Sequence, residues 1–256
     1  MEIVTLERCE STSTTLRQME AQGKATHGTV VRALEQTHGR GQRGNCWEAE
    51  PGANLTFSVL TAPEPIPPSH HFLLSQTIAL AIIDCLALHG IDGDHRLEVK
   101  WPNDIMVEDR KIAGILIENS LDTAGCIRRS IVGIGLNVNQ TAFTPAAPNA
   151  TSLALITGRS HPLDDMMSTL ASVIEAGVDT LNRAVLSLGT DPDASLGITR
   201  RYHARLWRRE GRHRWRDNGT GEAFTAAIQG VMPNGTLLLD TGGATRAFRF
   251  KEVTPL

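Results

Sequence analysis

The chain is poor in the features that mark several large protein classes. Its four cysteines, Cys9, Cys46, Cys85 and Cys126, contain no C-x-x-C pair, which argues against a structural zinc site and against a disulfide scaffold. No secretory leader opens at Met1-Glu2-Ile3. The most apolar stretch, Phe72 to Ile91, is interrupted by Gln76, Asp84 and His89, groups that a bilayer centre penalises, so no membrane span is expected. Excess charge is lacking too: Lys+Arg at 25 against Asp+Glu at 28 leaves a net charge of -3. No global basic field therefore draws the molecule onto nucleic acid or anionic lipid. Internal repeats and low-complexity tracts are absent. What remains is ordinary: 256 residues, 41% apolar and 21% charged, suit one large soluble unit or a medium one with a small appendage. A reduced, cytoplasmic protein is expected.

The pattern along the chain predicts an α+β fold. Glu2 to Leu6 reads as a strand, and Glu10-Ser11-Thr12-Ser13 opens a helix that Gly23 can close. Thr29 to Leu34 is strand-like, and Leu55, Phe57 and Val59 alternate with Thr56 and Ser58 as in a half-buried strand. Ser69 to His89 is helical by its apolar spacing, and Leu97 to Lys100, Ile105 to Val107, Lys111 to Glu118 and Ser130 to Val138 read as strands. Glu108-Asp109-Arg110 supplies a polar turn between the second and third of these. Helical patterns follow Pro162 through Val185 and run from Ala194 to about Arg209. The last stretch changes to short strands, Phe224 to Val231, Gly235 to Leu239 and Arg246 to Val253, divided by Asn234-Gly235 and Gly242-Gly243. Such spacing suggests a small barrel, and a division into residues 1–209 and 210–256.

Three segments carry candidate chemistry. Gly39, Gly41 and Gly44 satisfy G-x-G-x-x-G, but a strand rather than a helix follows, so a dinucleotide-binding turn is disfavoured. With Arg40 and Arg43 the same loop can wrap an anion or be a solvated hairpin. The chain has four lysines, Lys24, Lys100, Lys111 and Lys251, and Lys100 and Lys111 fall close together at strand edges. They suit a phosphate or carboxylate, or are surface lysines of a hairpin. Asp104, after the stiff Trp101-Pro102 step, can hold Mg²⁺, orient an amine, or cap its own turn.

Together these segments resemble the biotin protein ligase family, in a form without an N-terminal DNA-binding domain. Lys100-Trp101-Pro102-Asn103-Asp104-Ile105 is similar to the family's signature strand end, followed by Lys111-Ile112-Ala113-Gly114-Ile115-Leu116-Ile117-Glu118. Gly133-Ile134-Gly135-Leu136-Asn137-Val138-Asn139 resembles its later glycine strand. Glu10-Ser11-Thr12-Ser13 and Gln36-Thr37-His38-Gly39-Arg40-Gly41 look like its biotin pocket and adenylate loop. The resemblance implies a mixed β-sheet flanked by helices with a small SH3-like C-terminal barrel. It implies that Ser11, Thr12, Ser13 and Gln36 meet the ureido head of biotin, with Gly39, Gly41, Gly114 and Gly133 lining the pocket and Trp47 covering it. Arg40, Gln42, Arg43, Lys111 and Asn137 would face ATP, and Asp104 with Asn137 the Mg²⁺ side. Helix capping is the plain structural role for Ser11 and Thr12, and loop packing that for Trp47. Where the commonest family loop has arginines this chain has Gln42 and Asn45.

The implied activity is formation of biotinyl-5'-adenylate from biotin and ATP, then transfer of biotin to a lysine of a biotin carboxyl carrier protein domain. Catalytic roles fall to Lys111, Arg40 and Asp104. Ten residues precede Ser11, too few for a DNA-binding module, so no DNA partner is expected. A lipoate ligase of the same fold and a non-catalytic biotin-binding module are the alternatives. The oligomeric state stays open, a homodimer included. Eight arginines crowd Arg200 to Arg216 with one acid, Glu210. A solvated helix face with a linker is the plain reading; a docking patch for an acidic carrier is the functional one, and a nucleic-acid surface the weakest.

Overall fold

The computed structural model describes residues 1–41, 46–91, 93, 95–145, 147–191 and 193–256. A seven-stranded sheet has the order β1-β2-β3-β7-β6-β5-β4. Its members are β1 (Glu2–Cys9), β2 (Thr29–Gln36), β3 (Leu55–Thr61), β4 (Leu97–Lys100), β5 (Asp104–Val107), β6 (Arg110–Leu121) and β7 (Ile127–Leu136). β1 and β2 are parallel and every other pairing is antiparallel. The mixed sheet follows from connectivity: α1 (Thr12–Ala21) carries the chain back between two parallel strands, as a crossover must.

β3 is buried at every position, so its alternation of apolar and hydroxyl residues does not mark a half-buried strand. Both faces are covered. Leu16 of α1 joins Val31, Leu60 and Ile131 in a small cluster on one face. On the other face α2 (Phe72–Leu88) is buried nearly all round, including Gln76 and Thr77, because the sheet, α4 and α5 enclose it. Although long and apolar enough to cross a membrane, it is a core helix. α4 (Leu163–Ser187) buries Met166, Leu170, Ile174, Val178 and Leu181 at helical spacing. Asp164 and Asp165 lie in its first turn, where the helix dipole favours anions. Asp164 also meets the buried Arg32 of β2 at 2.5 Å.

The hairpin between β5 and β6 turns through Glu108 (φ 48) and Asp109 (φ 65), both left-handed, which fits a tight two-residue connection. A short helix that the sequence reading lacks, α3 (Leu153–Thr157), is capped by Ser152 Oγ accepting from Leu155 N at 3.2 Å. Five residues are too few to establish a helical period.

α5 (Leu196–Ala204) ends five residues before Arg209. The expected extension fails because the backbone finds a sheet partner: Val99 N donates to Arg205 O at 2.6 Å and Trp207 N to Val99 O at 2.9 Å, adding the segment to the open edge of β4. The expected linker contains β8 (His213–Asp217), in which only Trp215 is apolar and buried, a period-2 signal one residue long. β9 (Ala223–Val231), β10 (Leu237–Asp240), β11 (Thr245–Phe248) and β12 (Val253–Pro255) complete a second antiparallel sheet, ordered β11-β10-β9-β8-β12. The single strand expected over Arg246 to Val253 is thus two strands, divided at Arg249–Glu252, where Lys251 takes φ 70. This barrel-like sheet is not closed, since β11 and β12 each have one partner.

Candidate active site

A cavity of about 550 Å³ opens between the large sheet and the second one. One end of it is a row of hydroxyls. Ser11 stands at the N-cap of α1, yet its side chain makes no cap bond; it is buried and lines the cavity, so helix capping does not account for it. Thr12 donates to Gln36 Oε1 from its amide at 2.8 Å and its hydroxyl at 3.1 Å, which fixes the Gln36 amide plane. Behind them Ser58 Oγ lies 2.8 Å from Thr12 Oγ1 and 2.9 Å from Ser13 Oγ. Ser58 is fully buried and absent from the sequence-predicted site. Its signal is one of the three hydroxyls of β3, whose alternation with apolar residues reads as an open face although the strand is buried throughout.

The floor is glycine because nothing larger fits. A Cβ on Gly133 would stand 2.9 Å from Ser13 Oγ, and one on Gly114 3.2 Å from the Trp47 ring and 3.3 Å from Lys111 Nζ. A Cβ on Gly135 would overlap the Trp47 indole, and one on Gly39 the Trp47 carbonyl. Trp47 therefore lies flat on the glycine strands, tied back by its amide to Gly39 O at 3.0 Å. Its indole Nε1 is buried without a hydrogen-bond partner among the described residues.

The far end is charged. Lys111 Nζ lies 2.7 Å from Asp104 Oδ1 and 5.7 Å from the Trp47 ring centroid. Arg40 is not at that end: it reaches Glu118 Oε1 at 2.8 Å, past the level of Gly133 and Ser13 along β6. Glu118 Oε2 is 2.8 Å from Arg17, an ionic contact without hydrogen-bond alignment. Lys100 also lines the cavity, 5.3 Å from the Trp207 ring centroid. Burial, helped by the Lys111 and Arg208 cations and opposed by Asp104, holds its ammonium below the ordinary lysine value.

Ser11, Thr12, Ser13, Gln36, Arg40, Gly41, Trp47, Asp104, Lys111, Gly114 and Gly133 all line this cavity. Gly39 stands just behind, under Trp47. Gln42 and Arg43, together with Asn45, lie outside the described residues. Asn137 is not brought to the cavity: it is buried, its Nδ2 donates to Thr151 O at 2.9 Å, and its amide bonds Ile112 O. The second sheet supplies a wall that the sequence reading missed, with Trp215, Asn218, Ile228, Leu237, Lys251 and Thr254. Tertiary packing alone brings it there.

The comparisons with known proteins agree with this geometry. Residues 5–137 match the model of the biotin/lipoate A/B protein ligase family. The chain is 30% identical over 236 residues to the biotin–[acetyl-CoA-carboxylase] ligase of Mycobacterium tuberculosis, covering 92% of this chain and 82% of that protein. The chain belongs to the biotin/lipoate A/B protein ligase family. It is also 36% identical over 116 residues to the bifunctional ligase/repressor BirA of Escherichia coli, covering 45% of this chain and 35% of that one. Among solved structures, the biotin protein ligase of Aquifex aeolicus in complex with biotin and ATP shares the fold with a TM-score of 0.79 at 21% identity, covering 100% of this chain and 98% of that one.

Family membership gives the cavity's two ends distinct meanings. The uncharged row can bind a polar head that both donates and accepts, while the Lys100 and Lys111 end suits anions and Arg40 lines the cavity from its pairing with Glu118. Asp104 is the one carboxylate among the described residues lining the cavity, and no group of three His, Cys, Asp or Glu stands ready for a metal among the described residues.

Proposed function

We propose that the chain is a biotin–[biotin carboxyl-carrier protein] ligase, which activates biotin with ATP and transfers it to a lysine of a carrier domain. One observation carries this reading: a hydroxyl and amide row that can hold a ureido head shares one glycine-floored cavity with Lys100 and Lys111, and Arg40 lines the same cavity. Gln36 leaves its Nε2, and Ser11 its hydroxyl, without a protein partner among the described residues, ready for the ligand's carbonyl and N–H groups.

In the first step an oxygen of the biotin carboxylate attacks the α-phosphorus of ATP; the P–O bond to the β-phosphate breaks and pyrophosphate leaves. Two anions must approach each other, so Lys111 and Arg40 stabilise the transition state by exchanging their carboxylate partners for phosphoryl oxygens. Trp47 must leave the glycine floor far enough to admit the biotin tail and then cover it. In the second step the acceptor amine attacks the activated carbonyl, AMP departs, and Asp104, no longer paired to Lys111, takes the proton. Were Mg²⁺ required in the first step, Asp104 would help to hold it and the ion would supply charge neutralisation. Asn137 does not line the cavity, although its Oδ1 is buried without a partner among the described residues.

Residues 1–209 would form the biotin and ATP site and residues 210–256 its wall. The four free cysteines suit a reducing, cytoplasmic compartment. The deciding experiment is pyrophosphate exchange into ATP, first with biotin and then with lipoate. Exchange that requires biotin supports the reading. Exchange with lipoate only assigns a lipoate ligase, and biotin binding without exchange assigns a non-catalytic module.

A further inference from the structure

The chain's charge is unevenly divided. From Arg205 to Leu256 there are nine Lys and Arg against five Asp and Glu, whereas the preceding residues carry 16 against 23. Arginines of the crowded stretch have different fates. Arg201 pairs with Asp84 at 2.8 Å, and Arg212 lies 4.0 Å from Asp240. Arg205, Arg209, Arg214 and Arg216 are exposed and, among the described residues, have no acidic partner. They are not a helix face, since α5 has already ended.

Their position ties them to the reaction. Arg205 is held against Val99, next to the cavity-lining Lys100. Two residues on, Trp207 lines the cavity and carries the Arg208 guanidinium 4.2 Å from its ring centroid. Arg214 and Arg216 flank the lining residue Trp215 along β8 and so stand on the opposite face of that strand. The cationic rim beside the charged end of the cavity is therefore the Arg205 to Arg209 segment.

We propose that this rim docks an acidic surface surrounding the target lysine of the acceptor protein. The inference rests on the ligase reading and adds the surface that recognises its protein substrate. An acceptor lysine approaches as a cation and must enter a cavity holding Arg40, Lys100 and Lys111. Acidic neighbours offset that repulsion during encounter while the cavity cations favour the neutral amine that attacks. Nucleic acid is the poorer occupant. The patch is small against the many phosphates of a duplex, and a lysine must still be delivered to Asp104, which nucleic acid cannot supply.

The test compares the parent with Arg205→Glu/Arg209→Glu, and separately with Arg214→Glu/Arg216→Glu, none of which touches the cavity. The substrate is a purified biotin carboxyl carrier domain with Asp and Glu beside its target lysine, and the same domain with those acids changed to Asn and Gln. In low salt the Arg205/Arg209 pair should raise the KM for the acidic domain about tenfold, an effect that fades as the Debye length shrinks from about 30 Å to about 3 Å between 0.01 M and 1 M salt. The KM for the neutralised domain should hardly change, and biotin-dependent pyrophosphate exchange should match the parent. An unchanged KM in the Arg205/Arg209 variant at low salt overturns the proposal, as does a short DNA duplex that binds the parent more tightly than the acidic domain does. Loss of exchange in the parent itself would instead strike the ligase reading.

Discussion

Lys111 Nζ stands 2.7 Å from Asp104 Oδ1 across the β5–β6 hairpin. The bulge between Ile105 and Met106 sets Lys111 opposite Met106 while Asp104 pairs with Gly114, and the absence of a side chain at Gly114 lets the ammonium lie over that strand at the cavity. Each group is thereby kept in place by the one that it must leave when substrate binds. The pair stores a cation for the first half-reaction and a carboxylate for the second.

Lys111→Ala should raise the barrier to adenylate formation by about 3 kcal/mol, the scale of a lost transition-state donor. The half-exposed side chain leaves no core cavity on truncation, so thermal stability should stay close to the parent's. Pyrophosphate exchange separates the outcomes, and activity within twofold of the parent would remove Lys111 from the mechanism.

Ser58 is the test of the hydroxyl row. Ser58→Ala leaves Thr12 Oγ1 and Ser13 Oγ without their shared partner, at a cost of about 1–3 kcal/mol for buried unpaired polar groups. Gly133→Ala attacks the same row from the floor, since its Cβ would push Ser13 Oγ away. Both variants should weaken biotin binding by about tenfold or more and change ATP affinity little. Calorimetric titration with each ligand checks this, and equal losses for the two ligands would contradict a biotin-specific row.

Trp47 Nε1 is buried with no acceptor among the described residues, so Trp47→Phe removes an unsatisfied donor while keeping an aromatic ring on the glycine floor. The ligand-free chain should gain about 1 kcal/mol of stability or lose nothing, against the loss of several kcal/mol usual for cutting down a packed tryptophan. A large drop in Tm without ligand would show that the indole is a packing anchor first.

The parts of the site carried by local motifs were legible in the sequence, because each motif encodes its own geometry. The resemblance implies room at Gly114 and Gly133, and the structure shows the Trp47 ring against Gly114 and Gly135, where a Cβ would meet it. What was not legible depends on distant elements. Thr56 and Ser58 alternate as a solvent face would, and nothing local tells that α1 covers them. The wall containing Trp215 and Lys251 comes from a sheet whose first strand holds one apolar residue between arginines. The end of α5 is set by Val99, over a hundred residues away. Asn137 belongs to a recognisable motif; its Nδ2 is bonded to the Thr151 backbone, it is absent from the cavity lining, and its Oδ1 is buried without a partner among the described residues.

The junction between α5 and the second sheet should respond to pH through His203. Val231 N donates to His203 Nε2 at 3.0 Å, and Val231 O lies 3.1 Å from the same atom. Only one of these can be a hydrogen bond at a time. Burial, which together with Arg209 outweighs the bond to Val231 O, holds the imidazole below its ordinary value of 6.5, so the neutral ring accepting from Val231 N is the favoured form. In the unfolded chain the ring protonates near 6.5, so between that value and the lower folded one the unfolded state binds more protons and stability falls as pH falls. Above 6.5 the contribution is complete, and below the folded value it declines no further. His161 is depressed in the same direction, so the parent's decline is a sum over both rings. His203→Gln, which can still accept from Val231 N but does not titrate, should therefore show a smaller drop in Tm between about pH 7.5 and 5.5 than the parent does. The comparison of those two drops is the measurement. An identical drop in the variant would mean that His203 titrates alike in the folded and unfolded chain, and a larger drop that it is protonated in the fold and donates to Val231 O instead.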